Sequence, residues 1–235
     1  MKSSSSDRKV AIVLPVFNVA KYLPDCLESI LSQTFSKFSV FAIDDGSTDE
    51  SGAILDKYST RDTRIIVIHK NNEGVAVARN LALTLIEKDS AYSYISFVDS
   101  DDILSPNFLS EHIKHIESSG ADVSVCGFLK LSENGQLRQQ HPCLSKRIFE
   151  SDEYINLIFS HDSWAHACGA GGMLWKQLYR ADAIRSLRFP EDRLVVEDEL
   201  YGVFVAQKAR TFWKTAISSI CSIRPPATGR SWRIG

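Results

Sequence analysis

From Val10 onward the chain alternates short apolar runs with longer amphipathic ones, and this rhythm limits the fold more than any other feature. Short apolar runs bounded by turn residues read as buried strands, and the segments between them carry apolar residues at helical spacing. Such alternation specifies βαβ units and a mostly parallel sheet flanked by helices. Predicted strands cover Val10 to Leu14, Phe38 to Ile43, Arg64 to Ile68, Tyr94 to Val98 and Asp122 to Phe128. The first predicted helix, Tyr22 to Gln33, puts Leu23, Leu27, Ile30 and Leu31 on one face and tolerates Pro24 because it falls in the first turn. A second starts at Asp49 with Ile54, Leu55 and Tyr58 as its stripe, and Val75 to Glu87 and Pro106 to Ser118 follow.

Beyond Leu129 the rhythm changes. Leu129 to Arg138 reads as a hairpin turning through Glu133-Asn134-Gly135, and Ser151 to Phe159 as a helix capped by Ser151 or Asp152. Arg193 to Glu199 leads into a helix carrying Leu200, Val203 and Phe204. The chain divides into a polar leader (1–8), an α/β half (9–128), a second half (129–213) and an atypical tail (214–235).

Charge narrows the function. The 27 basic residues are scattered among 29 acidic ones, for a net charge of -2, which argues against a general nucleic-acid binder. The five cysteines are odd in number and form no C-x-x-C pair, so reduced thiols in the cytosol are the simplest reading. The Ser-rich leader lacks the apolar core of a signal peptide, and no run approaches the roughly 18 residues needed to span a bilayer. These features specify a cytoplasmic protein and allow peripheral contact with the inner face of the membrane.

Four polar clusters follow predicted strands: Pro15-Val16-Phe17-Asn18, Asp44 to Asp49, His69 to Gly74, and Asp99-Ser100-Asp101-Asp102. In a parallel sheet all four share one rim, where open α/β sheets bind ligands. Phe17 could stack a base there, and Asp44 and Asp45 could accept from a base or ribose. Extended geometry past Val98 would project Asp99 and Asp101 to one side, about 6 to 7 Å apart at Cα, with room for a divalent cation between them. Taken singly, each cluster has an ordinary explanation. Gly46 with Ser47, Thr48 or Asp49 makes a turn and helix cap, Ser100 to Asp102 a capped loop, and Arg79 a solvated helix residue. Their joint order weighs against those explanations. No G-x-G-x-x-G follows the first strand and no G-x-x-x-x-G-K-[ST] occurs, so neither a dinucleotide site nor a P-loop is supported.

These clusters, with Asn72 to Asn80, Lys176 to Arg180 and Val196 to Glu199, resemble the successive motifs of the inverting family 2 glycosyltransferases. The resemblance covers roughly Val10 to Lys208. It implies a GT-A fold, a Rossmann-like mostly parallel sheet flanked by helices with a smaller acceptor-side subregion. It also implies transfer of a sugar from a UDP-sugar to a glycan or lipid-linked saccharide. By the resemblance, Phe17 and Asp45 would hold the uracil, with Pro15, Val16 and Asn18 shaping the wall and Asp44 and Ser100 beside them. Arg79 would reach the base or the diphosphate, Asp99 would face the ribose or the metal, and Asp101 would be the direct ligand of Mn2+ or Mg2+. Asp198 would be the general base, with Glu197 the alternative. Gly172, Trp175 and Lys176 would line the acceptor side, where Trp175 or Trp164 could stack on a sugar or be plain core, and His161 and His166 could make polar contacts.

The resemblance stops before Ser222 to Gly235, a run of prolines, glycines and arginines without periodicity. That tail reads as truncated or frame-altered, so a nucleotide-sugar-binding protein impaired in transfer is one alternative. Another is a haloacid-dehalogenase-type phosphohydrolase, which also carries Asp-x-Asp after an apolar strand, though on its first core strand.

Overall fold

The computed structural model describes residues 8–131, 137–141, 147–159, 174–191, 197–209, 211–214 and 221–223. Its first half runs β1 (Lys9–Val16), α1 (Leu23–Leu31), β2 (Phe38–Asp45), α2 (Ser51–Arg61), β3 (Ile65–Lys70), α3 (Val75–Glu87), β4 (Tyr92–Phe97), β5 (Asp102–Leu104), α4 (Phe108–Ser119) and β6 (Val123–Val125). There follow β7 (Phe128–Leu131), β8 (Leu137–His141), β9 (Arg147–Glu150), α5 (Ser151–Phe159), β10 (Gln177–Arg180), α6 (Ala181–Ile184), α7 (Glu197–Lys208), β11 (Thr211–Lys214) and β12 (Cys221–Ile223).

An eight-stranded sheet has the order β3-β2-β1-β4-β10-β6-β11-β9, and a smaller one the order β5-β12-β7-β8. Strands β1 to β4 are mutually parallel, so their carboxyl ends do share one rim. Residues of β1 alternate between two cores, as the period of an extended strand requires. Val10, Ile12 and Leu14 pack with Leu23, Leu27 and Ile30 of α1 and Leu55 of α2, while Ala11 and Val13 pack with Ala78, Ala82 and Leu83 of α3.

The structure departs from the sequence reading in the second half. The expected strand Asp122 to Phe128 breaks at Cys126-Gly127, where the chain leaves β6 in the large sheet and enters β7 in the small one. Cys126 N–H bonds the Lys176 carbonyl (3.1 Å), one rung beyond the last pair of β6 with β10, before the chain turns away. Gln177 to Arg180, read only as a motif, forms the antiparallel strand β10 between β4 and β6. The sheet is therefore mostly, not wholly, parallel. Helix α4 starts two residues after Pro106, at Phe108. Ser151 begins α5, but its hydroxyl donates to the Ala209 carbonyl (3.1 Å). Helix α7 buries Tyr201, Gly202, Val205 and Ala206, so its inner stripe is offset from Leu200, Val203 and Phe204. The hairpin pairing of β7 with β8 is present, while its turn lies outside the described residues.

Gly46 leaves β2 with φ 74, and a Cβ there would stand 2.7 Å from the Asn72 backbone nitrogen. Both the left-handed backbone and the contact with the loop after β3 require glycine. Gly46→Ala is expected to destabilise the fold by about 1–3 kcal/mol, measurable as a lowered urea midpoint at unchanged slope.

Candidate active site

The register of β2 against β3 determines what its two terminal acids do. Asp44 pairs with His69 and Asp45 with Lys70, so each acid has a basic cross-strand neighbour on its own face. Strand alternation sends the two acids to opposite faces. Asp44 is buried; its Oδ1 accepts the Ser47 N–H (3.0 Å) and its Oδ2 meets His69 Nδ1 (2.8 Å). His69 Nε2 in turn meets Asp56 Oδ1 of α2 (3.0 Å). Asp45, 1% exposed, accepts from Lys70 Nζ (2.7 Å), Glu73 N–H (3.0 Å) and Gly74 N–H (2.8 Å). It thereby ties the end of β2 to the two amides just ahead of α3, of which Gly74 is the residue that caps the helix. Both acids hold the rim together, and both oxygens of each are engaged.

The loop after β1 is stitched to the loop after β2. Asn18 adopts φ 51, a left-handed conformation that asparagine tolerates better than most residues. Its Oδ1 accepts from Thr48 N–H (2.8 Å) and Asp49 N–H (3.3 Å), while its own N–H donates to Ser47 Oγ (3.1 Å). Val19 N–H donates to Ser51 Oγ (3.0 Å), and Ala20 N–H to Asp49 Oδ2 (3.1 Å). Asp49 also caps Ser51 N–H (2.9 Å), so the helix start expected there is served although α2 begins two residues later. Pro15 and Val16 are buried at the end of β1, and Phe17 beyond them is partly exposed.

Past β4 the chain does not stay extended. Asp102 N–H bonds the Asp99 carbonyl (3.0 Å), which makes a tight turn of Asp99 to Asp102, and Asp102 is buried at the start of β5. Cys26 and Ser29 on the inward face of α1, with Gln33 just past its end, brace the segment from Asp99 to Leu109. Cys26 Sγ donates to the Asp99 carbonyl (3.7 Å), Ser29 Oγ accepts Leu104 N–H (3.0 Å), and Gln33 bonds Ser105 O (2.6 Å) and Leu109 N–H (3.0 Å). Sequence reading missed these three; polar residues at positions 26, 29 and 33, spaced as one helix face, were the available signal. Asp99 and Asp101 still act on each other. Loss of water and then the Asp99 charge push the Asp101 carboxyl up to about 6.

Arg79 of α3 joins the halves. It is 4% exposed, with Nη1 2.5 Å from Asp198 Oδ1 and Nη2 3.2 Å from Asp99 Oδ1. Glu197 Oε1 lies 3.9 Å from Nη1. Asp198 stands in the first turn of α7. Burial raises its carboxyl to about 7 against the pull of Arg79, with Asp99 and Glu197 adding to the rise. The residues expected on the acceptor side differ: Trp175 is 6% exposed and packs edge-on against Phe128 (5.1 Å between centroids), and Lys176 is fully buried. Trp175 is therefore core. Gly172, Trp164, His161 and His166 lie outside the described residues.

Among the described residues no three or more His, Cys, Asp or Glu converge as a metal cage. A hard cation that takes one or two carboxylates and completes its shell from substrate phosphates and water needs no cage. Asp99 and Asp101 are oxygen donors, and the Asp99 charge acts on the Asp101 carboxyl, which fits such an ion.

Comparison with known proteins bears on this arrangement. Residues 11–181 match the family model described as glycosyl transferase family 2. The uncharacterized glycosyltransferase EpsJ of Bacillus subtilis is 30% identical over 202 residues, which cover 85% of this chain and 56% of that protein. Glycosyltransferase GlyA of Streptococcus pneumoniae is 30% identical over 192 residues, 80% of this chain and 27% of that protein. The chain thus spans between about a quarter and just over half of these curated relatives. S. aureus TarS in complex with UDP-GlcNAc superposes with a TM-score of 0.72 at 23% identity, over 94% of this chain and 60% of that one. The mannosyltransferase PcManGT of Pyrobaculum calidifontis, in complex with GDP-Man and Mn2+, gives 0.64 at 15% identity, over 96% and 59%. These likenesses show the expected α/β fold class.

His69 carries a pH signature. Asp44 foremost, then Asp56, raise its pKa above the ordinary histidine value. A raised pKa means stability that is complete below the unfolded value of ~6.5 and lost as pH rises through the folded one. His69→Gln is expected to flatten that segment of the stability–pH curve, followed by urea titration between pH 5 and 8.5.

Proposed function

This chain belongs to glycosyl transferase family 2, and on that premise we propose that it transfers a sugar from a UDP-sugar to an acceptor hydroxyl with inversion, Asp198 acting as general base. The observation that carries the reading is the shared guanidinium of Arg79, which brings the carboxylate of Asp198 beside the donor-side carboxylate of Asp99. Inverting transfer needs a base on the acceptor's approach and the leaving diphosphate opposite, and the pairing of Asp198 with Asp99 through Arg79 supports placing both here. The family assignment sets aside the phosphohydrolase alternative, as does the position of Asp-x-Asp after β4, not the first strand.

In the proposed reaction the acceptor oxygen attacks the anomeric carbon as its proton passes to Asp198 Oδ. The bond from that carbon to the diphosphate oxygen breaks, and its electron pair leaves with UDP. A carboxyl that burial pushes up to about 7 suits the role of Asp198, since a base works best when its pKa lies near the operating pH. Arg79 keeps its charge and aims it. Asp101, with Asp99, would hold Mn2+ or Mg2+, which would neutralise charge on the departing UDP. Phe17, at the open end of β1, would stack on the uracil beside the scaffold of Asn18, Asp44, Asp45 and Ser100. A UDP-GlcNAc complex of TarS and a Mn2+ complex of PcManGT support the donor class and the metal. A glycan or lipid-linked saccharide is the proposed acceptor, reached from the cytoplasm; among the described residues no helix is long and apolar enough to cross a membrane.

Calorimetric titration with UDP tests the donor site. Omitting Mn2+, or introducing Asp101→Ala, is expected to weaken binding about 10-fold or more, about 1.4 kcal/mol; binding indifferent to both would remove the metal assignment. Asp198→Asn should lower transfer by about 10²–10⁴-fold with UDP affinity nearly unchanged. For the wild type, kcat/KM should climb as pH rises through about 7, because protonated Asp198 cannot accept the acceptor's proton.

A further inference from the structure

Asn80 follows Arg79 on α3, and three of the four hydrogen bonds its side chain can make are formed away from the Arg79 carboxylates. Its Oδ1 accepts Phe189 N–H (2.8 Å), and its Nδ2 donates to Phe189 O (3.0 Å) and Glu191 Oε1 (2.8 Å). Both amide hydrogens and one acceptor lone pair are thus committed to a segment 109 and 111 residues away in sequence. Asparagine is a middling helix former, so α3 gains nothing from it locally. Asn80 is 7% exposed and Phe189 2%.

The segment it holds lies just ahead of the helix that bears Asp198. The Phe189 ring stacks on Tyr201 of α7, centroids 3.9 Å apart and planes within 5°, and Phe97 at the end of β4 meets both rings edge-on at 5.5 and 5.6 Å. The Arg79 guanidinium carbon lies 5.2 Å from the centroid of the same Phe189 ring. Two consecutive residues of α3 therefore grip the base-bearing half at two points, Asn80 on residues 189–191 and Arg79 on Asp198.

We propose that Asn80 and Phe189 are positioning residues for the Arg79–Asp198 ion pair: the Asn80 amide seats Phe189, and the Phe189 ring sets both the guanidinium and the first turns of α7. The proposal rests on Asp198 as base for its consequence in transfer, but the coupling it describes is a property of the folded chain. Neither residue touches donor or acceptor in it. The geometry distinguishes asparagine from its nearest substitutes, because aspartate has no N–H to donate and would face Glu191 with like charge, while alanine leaves the Phe189 N–H and C=O without partners.

The experiment has two arms, each with Asn80→Ala and, should that variant fold poorly, Phe189→Leu. In the first, urea unfolding is measured for the positioning variant, Asp198→Asn and the double variant. The expected result is an unfolding equilibrium constant that departs by about 2-fold or more from the product of the single effects. Simple multiplication of the two effects would overturn the proposal. In the second arm, transfer from the UDP-sugar is expected to fall about 10- to 100-fold in kcat, the scale of a misplaced reacting group, while UDP affinity stays within about twofold of wild type. Equal losses in UDP affinity and turnover would mark a general structural role and also overturn it. A wild type that binds no UDP would count against the donor-site reading, and the unfolding cycle would then decide the coupling alone.

Discussion

A buried guanidinium holds this site together. Arg79 is removed from water, and a cation so placed is tolerable only with charged partners and good hydrogen bonds. Its partners come from distant parts of the chain, Asp99 20 residues on and Asp198 119 residues on. The carboxylates of Asp99, Glu197 and Asp198 would repel one another if left alone, and the charge of Arg79 is what lets them gather at one place. The α/β half and the helix that carries Asp198 are thus joined by electrostatics at the point where the proposed chemistry occurs.

Around that charge, the acidic motifs act first as architecture. Asp44 and Asp45 lie in register with basic residues of β3, and each ties a different helix to the rim: α2 through His69 and Asp56, α3 through the two amides just ahead of it. Asn18 fastens the loop after β1 to the loop after β2. Cys26 of α1 supports the turn of Asp99 to Asp102, and Ser29 of α1 with Gln33 just past its end holds the strand and loop that follow. The rim is a set of loops bonded to one another through backbone amides and short side chains.

The first half of the fold was legible residue by residue because its signals are local. Apolar runs and helical stripes reproduce β1 to β4 closely, and α3 has the bounds that the pattern specified, Val75–Glu87. Where strand order stopped following chain order, the reading weakened. Strand β10 has no periodicity long enough to announce itself, and it is a strand because β4 and β6 leave a gap that its backbone fills. Trp175 illustrates the same limit: an indole reads alike in a core or on a sugar-binding face, and packing on Phe128 decides for the core. The stripe of α7 was misplaced for a similar reason, since Tyr201 turns inward to meet Phe189 and Phe97, partners far from it in sequence.

By itself the sequence determined the βαβ rhythm, the parallel rim with its polar clusters, and the order of motifs that marks the family, because each depends on residues within a few positions of one another. Tertiary structure alone decided which acids would tie the rim together and which would gather at Arg79. It also decided that Arg79 would pair with Asp198 and that Asn80 would clasp the segment ahead of α7. Those outcomes depend on strand register and on contacts across more than 100 residues, where the geometry of the fold, and not the identity of neighbours in the chain, sets which charges meet.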